Sequence, residues 1–287
     1  MLKITLGITM LLSSTLVEAA PSYTLSRQWA SEPVLEVPEC VLFRPADNLF
    51  YVSNVSGKPA EKNGAGFVSK MDLEGRVVEL KWASGLNAPK GMIIHGDSLY
   101  VSDIDELVQV DLNSGEILKR YPATGAVFLN DVAADAAGNI YVGDSSAENG
   151  RIYRLSAGKL ETWLKSSKME RPNGLHMHEG RLLAGDARNG HLIAIDPKTK
   201  AISPIAVTDS GIDGLKPDGY GNFFTSNWKG RTTLITAEGK TVILMDTTES
   251  NINSADFEYL ADKKMLVIPT FFDNRVVAFT VVNSQSN

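Results

Sequence analysis

Residues 171–186 read RPNGLHMHEGRLLAGD, from Arg171 to Asp186. Asn173-Gly174 is a turn dipeptide, and His178-Glu179-Gly180 is a second turn signal just ahead of the apolar run Leu182-Leu183-Ala184. The same order of polar residue, turn, short β-like run and closing Asp or Asn recurs along the chain. It appears in ECVLFRPADNLFYVSN (Glu39–Asn54), KGMIIHGDSLYVSD (Lys90–Asp103), NDVAADAAGNIYVGD (Asn130–Asp144) and DGLKPDGYGNFFTSN (Asp213–Asn227), and more loosely in ADFEYLADKKMLVIPT (Ala255–Thr270). The aligned positions Tyr51, Tyr100, Tyr141, Leu183, Phe224 and Leu266 stand 41 or 42 residues apart, apart from a first interval of 49 that absorbs the polar insert NVSGKPAEKNGAG at 54–66. A period near 40–45 built only from strand-like pieces predicts a β-propeller with one four-stranded blade per repeat.

Six repeats predict an all-β, six-bladed propeller. In the third repeat Asp131–Ala134 and Ile140–Val142 form a hairpin around AAGN, and GRIYRLSAG and KLETWLK supply the outer pair. No stretch carries a convincing 3.6-residue apolar period. YTLSRQWAS (Tyr23–Ser31) reads as an outer strand with no blade of its own, while the C-terminal repeat lacks a fourth strand. Pairing the two closes the ring and removes two sheet edges.

The first residues are set apart from this domain. Lys3, an apolar stretch from Ile4 to Leu16 and the small residues of Val17-Glu18-Ala19 read as a signal peptide over residues 1–19, leaving 20–287 as one propeller domain. The apolar stretch is shorter than a spanning helix needs, and no second one follows, so no membrane span is expected after cleavage. The protein is expected to be exported, to the periplasm or the medium. Its only cysteine, Cys40, can form no internal disulfide. A net charge of −6 without any Lys/Arg block speaks against a nucleic-acid surface. Oligomeric state is not readable.

In a propeller the innermost strands line the central channel, so residues of equal phase stand at equal height around it. The residue ten to twelve positions ahead of each aligned run position gives Glu39, Lys90, Asn130, Asn173, Asp213, and either Ala255 or Asp256. Taken singly, Asn173-Gly174 and Asp213-Gly214 are turn dipeptides, and Glu39 is an ordinary acid. Taken together, four oxygen-bearing side chains share one height of a closed ring. Buried without a cation they would leave like charges and unpaired groups. A hard divalent cation, calcium above all, takes 6–8 such oxygens with loose geometry. No Cys/His cluster favours zinc or iron, and His176 and His178 read as ordinary strand residues. Lys90 either neutralises a carboxylate or points away from the ring.

PECVLF, LNDVAADAAGNIYVGD, RPNGL, IDGL and PTFFDNRVVAF resemble the blade openings and closing blade of the senescence-marker/gluconolactonase/luciferin-regenerating-enzyme-like propellers, relatives of paraoxonase and diisopropylfluorophosphatase. The likeness runs from about Glu39 to Val282. It implies one divalent cation, usually calcium, held by Glu39, Asn173 and Asp213, with Asn130 as a further ligand or substrate contact. It also implies that Asp213 acts as general base in hydrolysis of a lactone or related ester. A calcium-bound carboxylate is a weakened base unless one oxygen stays free of the metal, so Asp256 and Asp131 are fallback bases. Lys90 and Asp256 are taken as substrate contacts, although they match none of the family's functional residues. The expected function is thus an exported calcium-dependent hydrolase acting on a small-molecule lactone or ester. The alternative is a non-catalytic propeller that binds a ligand or protein through a structural cation.

Overall fold

In a computed structural model, described over residues 23–146 and 150–283, the chain folds as six four-stranded antiparallel sheets. The expected signal peptide lies outside the described residues. Each of the first five blades is a consecutive meander. Blade 1 comprises Pro38–Arg44, Leu49–Asn54, Gly66–Met71 and Val77–Leu86, and blade 4 comprises Pro172–His178, Arg181–Asp186, His191–Ile195 and Ile202–Val207. The inner strands of the other blades are Pro89–His95, Leu129–Ala134, Leu215–Pro217 and Glu258–Leu260. Blade 6 continues through Met265–Pro269 and Val276–Asn283, and its outer strand is Tyr23–Ala30 from the other end of the chain. The expected closure is therefore present. Three single-turn 3₁₀ segments are the only helical pieces among the described residues, and none is long and apolar enough to cross a membrane.

Burial follows the repeat. Six apolar cores fill the six blade–blade interfaces, each drawing on the facing surfaces of two sheets. Trp82 of blade 1 and Trp163 of blade 3 sit edge-on against Tyr51 and Tyr141, with ring centroids 5.0 and 4.9 Å apart. A seventh cluster, Val55, Ala88, Ile104, Ala255 and Phe271, lies over one end of the channel.

The Asp or Asn that closes each of the first four repeats turns out to be a clip. Buried Asp103 accepts the backbone N–H of Asn87 at 2.9 Å and of Ala88 at 2.8 Å. Asp144 accepts from Phe128 at 3.1 Å, and Asp186 from Glu170 at 2.7 Å and Arg171 at 3.2 Å. Asn54 takes the N–H of Glu36 at 3.0 Å. Each of these fixes the segment that leads into its own blade's inner strand.

Candidate functional site

The inner strands enter the channel through a repeated irregularity. Pairing slips at Pro38/Cys40, Pro89/Met92, Leu129/Val132 and Asn173/Leu175, which leaves Glu39, Lys90-Gly91, Asn130-Asp131 and Gly174 out of register at or next to one phase of blades 1 to 4. These bulges re-aim side chains toward the axis. Asn173-Gly174, a turn dipeptide in sequence, is one of them. Gly174 stands at φ 57°, and a Cβ there would meet the carbonyl of Asp213 at 2.9 Å. The hairpin proper is Glu179-Gly180, with φ positive at both residues, as a type I′ turn requires.

Serines of the second strands lock the bulges. Ser102 donates to the Asn130 carbonyl of the next blade, and Ser226 does the same to Ala255 at 2.8 Å. Blades 3 and 4 carry Gly143 and Gly185 at this phase because the next blade comes too close. A Cβ would lie 2.6 Å from the Pro172 carbonyl in one case and 2.4 Å from Ile212 in the other.

Glu39, Lys90, Asn130, Asn173 and Asp213 are all buried at this level. One oxygen each of Glu39 and Asp213 is enclosed without any hydrogen-bond partner among the described residues. The other Asp213 oxygen accepts the Asn173 amide, whose own oxygen takes the Gly174 N–H at 3.1 Å. Burial, and next the charge of Asp256, push Asp213 up to about 7, against the pull of Asn173. Burial also drives Glu39 well above the carboxylate range, helped by Asp213 and Asp256 and opposed by Lys90.

Lys90 follows neither expected course in full. It is buried yet makes no ion pair with Glu39. Its Nζ donates to the Ala88 carbonyl at 3.0 Å and rests 4.4 Å from the Phe128 ring centre. Burial lowers it to about 8, while Glu39 and Asp103 pull it back up.

Asp256 stands one layer deeper than the expected ring. Its backbone pairs with Glu39 and Val41, and its carboxylate accepts the Cys40 thiol at 3.0 Å and faces Lys216 at 3.9 Å. Asp131, in the same layer, accepts the N–H groups of Val132 at 2.7 Å and Leu175 at 2.5 Å.

Below lies a part of the site that the sequence reading passed over. Leu42, Ile93, Ala133, His176, Lys216 and Glu258 line a cavity of about 190 Å³. They lie three residues after the first ring. Regular strands repeat a face every two residues, and the bulge adds one, so the +3 phase was the available signal. Burial would lower Lys216, but Asp256, Glu258 and Asp131 more than offset it and hold it raised. Burial and the Lys216 charge push His176 down to about 3, so it is neutral.

The upper ring suits a hard cation by its donor set: two partnerless carboxylate oxygens on like-charged neighbours, with amides beside them. No three Asp, Glu, His or Cys side chains among the described residues gather closely enough to hold an ion alone, so Asn130 and Asn173 are needed to complete it.

The SMP-30/gluconolactonase/LRE-like region model matches residues 37–268, from the bulged entry of blade 1 to the second strand of blade 6. The chain belongs to this family. No curated protein matches the sequence. Among solved structures, this SMP-30/gluconolactonase/LRE-like chain resembles one provisionally assigned as a gluconolactonase (14% identity, 93% of this chain and 94% of that one, TM-score 0.67). It also resembles streptogramin B lyase (12%, 91% and 98%, 0.64) and a chain of a nidogen/laminin complex (18%, 72% and 79%, 0.59). At these identities the likeness is one of fold.

Proposed function

We propose that this protein is a calcium-dependent hydrolase of lactones or related esters, with Glu39, Asn130, Asn173 and Asp213 holding the ion. The observation that carries the reading is the pair of buried carboxylates, Glu39 and Asp213, each with an oxygen lacking any partner. When bound, the cation supplies Lewis-acid polarisation of the carbonyl and charge for the oxyanion. Asp213 would give its partnerless oxygen to the ion, and its other oxygen, once released by the Asn173 amide, accepts the proton of a water whose oxygen attacks the carbonyl carbon. The C–O bond to the leaving oxygen then breaks, and that oxygen recovers a proton. Asn130, whose amide is free of hydrogen bonds among the described residues, and Lys90 orient the substrate. Asp256 serves from below, where it balances Lys216, and is better placed to hold the layer under the ring than to touch substrate.

A panel of lactones and aryl esters, assayed with calcium and with chelator, tests the reading. Turnover should be chelator-sensitive and fall by at least ~100-fold in Asp213→Asn, as expected when a general base is lost. If no compound is turned over while calcium still raises the melting temperature, a non-catalytic binding propeller with a structural cation is the better description. We also propose export through removal of residues 1–19. Intact-mass measurement of the protein from the exported fraction should place the mature N-terminus at Ala20, and an uncut chain there would contradict it.

A further inference from the structure

Trp228 follows the second strand of blade 5, and Phe271-Phe272 follow that of blade 6. The three rings meet edge to face, with centroids 5.4 Å (Trp228–Phe271), 5.9 Å (Trp228–Phe272) and 4.8 Å (Phe271–Phe272) apart. Phe272 is 58% exposed and Trp228 40%, while Phe271 is buried.

Phe271 joins this aromatic group to the channel. It packs with Val55, Ala88, Ile104 and Ala255, and Val37 lies against that cluster. Val37 precedes Pro38-Glu39, Ala88 gives its carbonyl to Lys90, Ala255 precedes Asp256, and the Ile104 carbonyl takes the Leu129 N–H at 2.7 Å, next to Asn130. The apolar collar therefore runs from the exposed rings to the entrance of the ring.

Its backbone is also unusual. Val37, Ile104 and Phe271 adopt φ of 58°, 59° and 51°. Branched and bulky residues avoid this region unless the surroundings impose it. Here Asn274 accepts the Val37 N–H at 2.9 Å, and its own N–H bonds to the Phe271 carbonyl at 3.0 Å. Three left-handed non-glycine residues in one packed cluster show a backbone imposed by its surroundings, which fixes where the Phe271-Phe272 pair stands.

We infer that the exposed Trp228 and Phe272 rings, held over the ring by the buried collar, bind an apolar alkyl or aryl group of the substrate, so the preferred substrates are hydrophobic lactones or esters and not polyhydroxylated sugar lactones. The inference rests on the hydrolase reading of the ring below. The hydroxyls of a polyol find no hydrogen-bond partner in these rings, whereas an alkyl chain covers exposed aromatic surface that is otherwise wet.

Three δ-lactones test it in the calcium-loaded protein: δ-valerolactone, δ-dodecalactone and glucono-δ-lactone. The alkyl lactone should exceed both others in kcat/KM by ~10-fold or more, and Trp228→Ala and Phe272→Ala should each cut that preference severalfold, mainly through KM. Best turnover of the sugar lactone, or a preference unmoved by both substitutions, overturns the inference and leaves the hydrolase reading intact. If none of the three turns over, the hydrolase reading rests on the aryl esters of the panel, and the Trp228/Phe272 subsite is judged by binding alone. Saturable quenching of tryptophan emission by δ-dodecalactone, lost in Trp228→Phe, supports it, and no quenching overturns it.

Discussion

Burial and the charge of Asp256 push Asp213 up to about 7, against an ordinary value of 3.8. A carboxyl raised on folding binds a proton in the native state that the unfolded chain has released. Its stabilising effect is complete below the unfolded value and is lost as pH rises through the folded one. The displacement of about three units corresponds to about 4 kcal/mol over the whole window, of which about 3 kcal/mol falls between pH 5 and 8. Glu39 is displaced in the same direction. His176 works the other way: held neutral down to about 3, it favours the native state increasingly as pH rises to its ordinary 6.5. The total pH profile is therefore a compromise, and a comparison between two proteins isolates the ring. Chelator-treated wild type and Asp213→Asn should be melted side by side at intervals across this range. The variant should gain on wild type by about 3 kcal/mol between pH 5 and 8, or about 6 °C at roughly 2 °C per kcal/mol for a chain of this size. A difference in melting temperature that stays constant with pH would show that Asp213 ionises normally, and the argument for a charge-strained ring would fall. Calcium, which needs deprotonated ligands, should correspondingly stabilise wild type more at pH 8 than at pH 5.

Glu39→Gln should abolish most of the calcium-induced rise in melting temperature, a rise of about 5 °C at a hundredfold excess over Kd; an undiminished rise would place the ion elsewhere. Asp103→Ala strips two buried backbone N–H groups of their acceptor and should cost about 3 kcal/mol in urea unfolding with an unchanged m-value; a loss under 1 kcal/mol would show that the clip is dispensable. Lys216→Met removes the one cation among the described residues that faces Asp131, Asp256 and Glu258, and should cost about 3–5 kcal/mol; a neutral or stabilised variant would mean that these acids are protonated in the native state.

The fold was legible because each repeat writes itself twice, as a hydrophobic run and as turn residues around it. Tyr51, Tyr141 and Leu183 mark the second strands, and Gly180 and Gly138 mark the hairpins. The ring was legible for a related reason: equal phase means equal height, which gathers Glu39, Asn130, Asn173 and Asp213 without knowledge of any contact. What stayed hidden depends on the bulges. An inserted residue carries no signature of its own, so the direction of Asp256 and the lower layer of Lys216, Glu258 and His176 could not be placed. Nor could the left-handed backbone of Val37, Ile104 and Phe271, since positive φ is announced by glycine or asparagine and these residues are neither. The closing Asp and Asn residues were visible as a pattern, but their acceptor role depends on N–H groups some sixteen residues earlier, as with Asp103 and Asn87.

The seam of blade 6 sets the timetable of folding. Tyr23 pairs with Asn283, and its hydroxyl also reaches Asp218 of blade 5 at 3.0 Å while its ring stands edge-on to Phe224. During synthesis at about 5–20 residues per second, the first strand waits for tens of seconds before its partner exists. Blades 1 to 5 can form as local meanders in that time, but the ring cannot close, and two open sheet edges persist until the last strand arrives. Closure is thus the latest step and the one with the longest sequence separation, which makes it slow. By the same token, release of this one strand reopens the seam. Any peeling of Tyr23–Ala30 from its Tyr23 end has first to break the hydroxyl's bonds to Asp218 and Asn222, so these two side chains guard the seam.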